Sequence, residues 1–425
     1  MSLQSRTENT RNVIFYFQVH QPRRLRSMRF FDIGSHATCF NDDLNREIMQ
    51  RVAANCYLPT NALLLKLIKK HPEIRLTFSI SGVTLEQFEL FAPEVLHSFR
   101  ALADTGSVEF LCETYFHSLA CMMPGHEFEI QALKHADAIE KHFGKRPTVF
   151  RNTELIYNDE IGKRISMLGF NGVLTDGIQK VVKNNKSVHQ VYMHPNESDL
   201  RILLRDYLLS DDIAFRFSQN GTRLSVDKYM TWLNDVPDYD KVITLAMDYE
   251  TFGEHQKKET GILDFFKKLL TALAKSSKHT MLTASEAVKD ITPHSTLSVP
   301  EHVSWADQER DLSAWLGNDM QRDSFESLIK LDKTVKALSN SEILKQWRML
   351  QTSDHFYYMS TKKGSDGSVH NYFSPYPSPY EAFINYMNVL TDFSVHLNVK
   401  KSVHKSIRVK KVTTKSLPPL EEVSV

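Results

Sequence analysis

The feature that most constrains this chain is an alternation of short β-rich runs with amphipathic stretches, sustained over roughly its first 285 residues. Val13 to Gln18 is dense in Val, Ile, Phe and Tyr and reads as a strand. Leu76 to Ile80, Val108 to Leu111, Thr148 to Phe150, Gly172 to Leu174, Ile202 to Leu204 and Val242 to Ala246 read the same way. Between them, Thr84 to Arg100 carries Leu85, Phe88, Phe91 and Val95 at helical spacing, and Glu127 to Phe143 and Ile262 to Ala274 repeat the pattern. Repeated strand–helix units imply parallel pairing, because each helix carries the chain back over the sheet. About seven or eight such units fit an α/β barrel, over 1–290, better than an open sheet.

The later sequence changes character. From Asp319 to about Phe393 the pattern is helical, with Phe325, Leu328, Ile329, Val335 and Leu338 on one face. Ser341 stands where an N-cap belongs, ahead of Ile343, Leu344 and Trp347. The Gly/Ser/Asp stretch Lys363 to Ser368 reads as a loop, and a helix is expected to begin near Tyr380. A mainly helical region is therefore expected over 291–395. Seven Lys or Arg fall between Lys400 and Lys415, marking 396–425 as a basic, solvated or partly disordered tail. The alternation in Ser406 to Val412 is also compatible with a strand laid on the body.

Composition removes several classes of function. Lys and Arg number 52 against 51 Asp and Glu, so no general field attracts nucleic acid or an acidic membrane. A neutral polymer needs no such field. The four cysteines, Cys39, Cys56, Cys112 and Cys121, have no zinc-type spacing, and as free thiols they suit a reducing cytoplasm. Met1 to Asn12 is polar, without the apolar stretch of a signal peptide, and no apolar run approaches the ~18 residues of a spanning helix. A soluble cytoplasmic protein is expected.

In such a barrel, chemistry gathers at the C-terminal ends of the strands. His20, Gln21 and Pro22 follow the first run, and Glu113, Tyr115, Phe116 and His117 the third. Arg151, Asn152 and Glu154 follow the fourth, Asp176 the fifth, and Arg205 and Asp206 the sixth. Asp248, Tyr249, Glu250, Glu254 and His255 follow the seventh. Carboxylates, histidines and aromatics at one end suit sugar cleavage. A retaining glycosidase uses two carboxyl groups about 5–5.5 Å apart, and acids from two facing strands meet that need. Plainer readings exist for each residue. His20 closes a strand, Glu154 is an ordinary acid at a helix start, Asp248 makes a structural salt bridge, and Tyr115, Phe116, Trp305 and Trp315 belong to core or rim.

At these residues the sequence resembles glycoside hydrolase family 57, in its α-amylase-like branch, over roughly residues 12 to 395. The first signature appears as His20-Gln21-Pro22. The second is Gly106-Ser107-Val108-Glu109 with Tyr115-Phe116-His117. The third reads Arg151-Asn152-Thr153-Glu154-Leu155-Ile156-Tyr157, and the fourth Asp248-Tyr249-Glu250-Thr251-Phe252-Gly253-Glu254-His255. Downstream, Ser304-Trp305-Ala306-Asp307 and Ala314-Trp315-Leu316-Gly317-Asn318 resemble the start of the family's helical portion, and Tyr376 to Phe393 resembles the same branch.

The resemblance implies an incomplete seven-stranded (β/α) barrel followed by a helical domain. It implies retaining cleavage of α-1,4-glucans such as glycogen, starch or maltodextrins, with neither metal nor cofactor. Glu154 is then the nucleophile and Asp248 the general acid/base. His20, Gln21, Glu109 and His117 line or support the sugar subsite, Arg151 holds Glu154 ionised, and Tyr115, Tyr249 and Trp305 hold the glucan. Glu250 helps raise the pKa of Asp248, and His255 and Asp307 complete the substrate-binding set. The chain departs from the pattern at Gln18, where many members have His, at Phe150-Arg151-Asn152, where many have Trp, and at Glu254-His255, where others have Trp.

Three alternatives stay open. A 4-α-glucanotransferase acts on the same substrates. A metal-dependent deacetylase or mannosidase would draw ligands from His20, His117, Asp248 and His255. No His-x-x-x-His or Asp-Asp pair shows obvious ligand spacing at a strand end, Asp211-Asp212 being the nearest. The third is a glucan-binding scaffold without turnover.

Overall fold

A computed structural model describes residues 10–35, 38–183, 186–219 and 222–413. The seven β-rich runs form seven parallel strands: β1 (Arg11–Val19), β2 (Leu76–Ile80), β3 (Val108–Phe110), β4 (Val149–Arg151), β5 (Gly172–Asp176), β6 (Arg201–Arg205) and β7 (Val242–Asp248). They neighbour one another in chain order. β1 lies between β7 and β2, β2 pairs with β3, β4 with β5 and β5 with β6. Two joints are thin. β3 meets β4 only through the bridge Cys112/Phe150, and β6 meets β7 at the single register pair Arg205/Thr244. At the second joint, Ala246 N–H is taken by Ser210 Oγ at 3.0 Å and Ala246 C=O by Arg205 Nε at 2.8 Å, so side chains replace the ladder.

Alternation along β1 sorts its residues. Val13, Phe15, Phe17 and Val19 pack on the surrounding helices, while Ile14 and Tyr16 face the barrel interior. Gln18, next in the inward series, reaches Glu113 at the far end. The other end of the barrel is closed by the helix Ala284–Asp290, whose Ala284, Ala287 and Val288 share a cluster with Ile14.

Thr84 to Arg100 is two helices, Gly82–Phe91 and Pro93–Ala103, not one. Pro93 has no N–H to continue the first helix and is well placed to begin the second. The helical region comprises Ser313–Leu316, Asp319–Lys330, Asp332–Ala337, Ser341–Met349, Ser353–Tyr357, Gly364–Phe373 and Pro379–Thr413. Asn340, not Ser341, caps the fourth of these, accepting from Ile343 N at 3.1 Å. The expected loop at Lys363 to Ser368 is instead largely helix: His370 stacks on Tyr357 at 3.7 Å and bonds to its carbonyl, so packing overrides weak propensity. The last helix runs on to Thr413, so 406–412 is not a strand. The polar residues 1–9 and the end of the basic tail, 414–425, lie outside the described residues.

Trp315, Trp347, Phe356 and Tyr386 of the helical region share one hydrophobic cluster with Phe116, Leu119 and Phe150 of the barrel. All four cysteines are buried and unpaired. Among the described residues, no helix is long and apolar enough to cross a membrane.

Beyond β7 the chain crosses the π-helical turn Ala53–Tyr57. Gly253 adopts φ +118°, and a Cβ there would sit 2.1 Å from the Asn55 carbonyl oxygen. Gly253→Ala is expected to cost at least about 2 kcal/mol, from strain and from separation of these segments. A urea midpoint equal to wild type would refute this.

Candidate active site

Past β4 the backbone turns through two left-handed residues, Glu154 (φ 57°) and Leu155 (φ 53°), unfavourable for side chains with a Cβ. The turn is held by Leu155 N to Asn152 O at 2.9 Å, Asn152 Nδ2 to Ile156 O at 2.8 Å, and Thr153 Oγ1 against Thr114 Oγ1 at 2.6 Å. It aims the Glu154 carboxylate across the barrel mouth. The next helix starts at Asp159 with Asn158 as its cap, so Glu154 is not a helix-start acid. Three donors reach it from separate parts of the chain. His117 Nε2 (3.2 Å) and Ser353 Oγ (3.1 Å) meet Oε1, and Trp305 Nε1 (2.8 Å) meets Oε2.

His117, itself left-handed at φ 48°, places Nδ1 2.6 Å from Glu113 Oε2. Glu113 is fully buried and also accepts from Gln18 Nε2 and Ser79 Oγ, both at 3.0 Å. Burial alone would lower the His117 pKa, but the Glu113 charge, supported by Glu154, raises it to about 9. Glu113 is correspondingly held well below the usual carboxylate range, despite burial, by His117 and Arg151. His20 stacks on His117 with ring centroids 3.8 Å apart. Burial and then the charged His117 push the His20 pKa down. With Nε2–H donating to Asp354 Oδ2 at 2.9 Å, its Nδ1 accepts from the Ser81 hydroxyl at 2.7 Å. Ser353 and Asp354 arrive because the chain at Gln351–Ser353 bonds along Phe116–Leu119: Thr352 Oγ1 to Phe116 O at 3.0 Å and Ser353 N to His117 O at 2.9 Å.

Asp248 ends β7 and has no ion pair or hydrogen-bond partner for its carboxyl group among the described residues, so it is not a structural salt bridge. Burial, then the negative Glu154, raise its pKa to about 6. Glu250 is pushed up to about 8 by burial and by Asp248. It accepts from the Tyr57 hydroxyl and, at 3.5 Å, from Gln21 Nε2. Glu154 goes the other way: burial would raise it, but His117 and Arg151 bring it below its ordinary value. Arg151 is fully buried with its Cζ 5.0 Å from the Trp305 ring centroid, and its nitrogens have no hydrogen-bond partner among the described residues. The result is two carboxyl groups at the ends of β4 and β7, one favoured ionised and the other driven toward protonation.

The structure thus brings together Glu154, Asp248, His20, His117, Arg151 and Trp305, with Gln21 and Glu250 adjoining. Trp305 spends its indole N–H on Glu154, a contact that the reading of it as a platform did not include. Five expected residues lie elsewhere. Glu109 sits early in β3, at the closed end of the barrel, where it accepts from Ser285 N at 2.9 Å; Glu113 takes the place expected for it. Tyr249 is fully buried among Phe17, Phe78 and Tyr57, its hydroxyl on Asn61. Tyr115 has Gly82 against its ring and Lys134 Nζ 3.7 Å from its centroid, which leaves no room for a sugar. Asp307 and His255 reach the helical region instead, Asp307 bonding His370 at 3.0 Å and Lys362 at 2.8 Å, His255 bonding Tyr372 at 3.1 Å. Ser353 and Asp354 were not expected. Their only sequence signal is a polar stretch inside an apolar helical region.

A sequential seven-stranded barrel with two oppositely treated carboxyl groups at its mouth defines a glycoside hydrolase architecture. Residues 14–300 match the profile of glycosyl hydrolase family 57, and the chain belongs to that family. A Methanocaldococcus jannaschii protein named "Putative alpha-amylase" is 42% identical over 404 residues, spanning 91% of this chain and 84% of its own. The 4-alpha-glucanotransferase of Thermococcus litoralis superposes with a TM-score of 0.62 at 18% identity, over 82% of this chain but 56% of that one. The GH57-type branching enzyme of Pyrococcus horikoshii superposes with a TM-score of 0.65 at 14% identity, over 86% of this chain and 87% of that one. At these identities the two solved structures speak for the fold alone.

The Glu113–His117 pair is open to direct measurement. His117 is expected to keep both ring protons at neutral pH and to lose one near pH 9. In Glu113→Gln that loss moves to lower pH, because the largest stabiliser of the cation is gone. Nitrogen-detected NMR of the imidazole that shows a neutral ring at pH 7 in wild type would contradict this.

Proposed function

We propose that this protein is a retaining α-glucan hydrolase of the α-amylase type, acting on α-1,4-linked glucose chains such as maltodextrins, starch or glycogen. One observation carries the reading: two carboxyl groups face one mouth from different strands, and their surroundings drive their protonation apart. Protonated Asp248 gives its proton to the glycosidic oxygen as that bond breaks. The Glu154 carboxylate attacks the anomeric carbon from the other side and forms a glycosyl ester. Asp248, now ionised, takes a proton from water. That water displaces Glu154 from the anomeric carbon and restores both groups with configuration retained. Loss of the Glu154 charge in the ester removes the main charge that raised Asp248, so the Asp248 pKa falls and the group stays ionised, ready to take the proton from water. The name borne by the Methanocaldococcus jannaschii relative, an α-amylase, supports the substrate class.

Three of the four ligands that the metal-dependent reading would draw on are engaged elsewhere, Asp248 being the exception. Both ring nitrogens of His20 and of His117 are engaged by protein groups, and His255 turns to Tyr372. Transfer differs from hydrolysis only in a sugar hydroxyl replacing water, so product size separates the two.

Wild type incubated with maltoheptaose is expected to release shorter maltodextrins, and Glu154→Gln to be at least about 1,000-fold slower. Products longer than the substrate would make it a transferase; a fully active Glu154→Gln would remove Glu154 from the mechanism. Activity requires Glu154 ionised and Asp248 protonated. In the free enzyme kcat/KM should therefore fall as pH rises through about 6. In Asp248→Asn that limb should vanish along with most of the activity.

A further inference from the structure

Four alternating charges stand beside the site without a part in the chemistry above. Asp176 ends β5, Arg205 ends β6, Asp211 lies in the helix Tyr207–Ala214, and Arg310 comes from the loop that carries Trp305. Arg205 meets Asp176 Oδ1 at 3.3 Å and Asp211 Oδ1 at 2.5 Å, and Arg310 meets Asp176 Oδ2 at 3.1 Å and Asp211 Oδ2 at 3.5 Å. Asp176 and Arg205 are almost completely buried. Such a ring costs desolvation, and it earns no net stability merely by existing.

Its contacts with Trp305 are specific. Arg310 Nη1 donates to the Trp305 carbonyl at 2.5 Å as well as to Asp176. Arg205 Cζ lies 5.6 Å from the Trp305 ring centroid, and Arg151 Cζ lies 5.0 Å from it. The loop closes on itself, with Ser304 N on Arg310 O at 3.1 Å, through left-handed Asp307 and Arg310. Trp305 in turn grips Glu154 twice, by backbone N–H to Glu154 O at 3.2 Å and by indole N–H to Oε2 at 2.8 Å.

We propose that the Asp176–Arg205–Asp211–Arg310 network is a positioning device for Glu154, acting through Trp305. The inference rests on Glu154 being the nucleophile. The strand ends supply a rigid base, Arg310 fixes the backbone of Trp305 to it, and the indole N–H then stays on the carboxylate oxygen. Arg205 also bonds the Ala246 carbonyl, two residues before Asp248, so one cluster references both acids to the same scaffold.

The test compares Arg310→Met and Arg310→Lys with Trp305→Phe, which keeps a ring but loses the donor. Maltoheptaose kinetics are measured across pH, and folding is checked by circular dichroism. A carboxylate that loses a donor becomes harder to ionise, so the acidic limb of kcat/KM moves to higher pH. The other charged groups facing Glu154, which are His117, Arg151, Asp248 and Asp354, are unchanged in all three variants. Expected are a limb shifted upward in Trp305→Phe and in Arg310→Met, a kcat lowered about tenfold or more in Arg310→Met with KM changed less, and partial rescue in Arg310→Lys. Folded Arg310 variants with the wild-type limb, or failure of both to fold, would overturn the proposal and leave the network a structural ion cluster. An active Glu154→Gln is a separate result, and it would sink the assignment of the nucleophile instead.

Discussion

A carboxylate pressed under an indole keeps its charge only while donors and cations face it. Glu154 meets that condition chiefly through His117, and His117 holds its second proton chiefly because Glu113 lies beneath it. Glu113 in turn depends on Gln18 of β1 and Ser79 of β2. The charge on one strand-end residue is thus maintained by side chains from three other strand ends. The helical region closes the set with Ser353 and, through His20, Asp354. That region therefore shapes the chemistry of the site as well as its outline.

The same mouth treats Asp248 differently. It receives burial and a negative neighbour but no donor among the described residues, and its pKa climbs. His20 is kept neutral beside a charged His117, so two stacked imidazoles differ in protonation. Graded protonation across a few ångströms follows from which donors each strand end happens to deliver.

Periodicity made the strands legible, and with them both acids, because residues that follow a β-rich run must emerge at one end of a parallel barrel. Less was legible where a contact decides. Glu109 and Glu113 lie in the same short segment, and only the point where β3 stops tells which one reaches the mouth. Tyr249 neighbours Asp248 in sequence, yet strand alternation sends it into the helical packing layer. Asp354 lies more than a hundred residues beyond Asp248, and nothing local pairs it with His20. The helix at Gly364–Phe373 was hidden by a composition poor in helix formers, its stacking on Tyr357 being invisible in one dimension.

The thin joints of the barrel divide its wall into two arcs, β7-β1-β2-β3 and β4-β5-β6, each internally well laddered. Glu154 rides on one arc and Asp248 on the other. In mechanical terms the enzyme resembles a pair of calliper jaws whose hinges are a single bridge on one side and a side-chain splice on the other. The gap those jaws measure is the distance between the two carboxyl groups, so any yielding of the wall at its seams is felt first as a change in that gap.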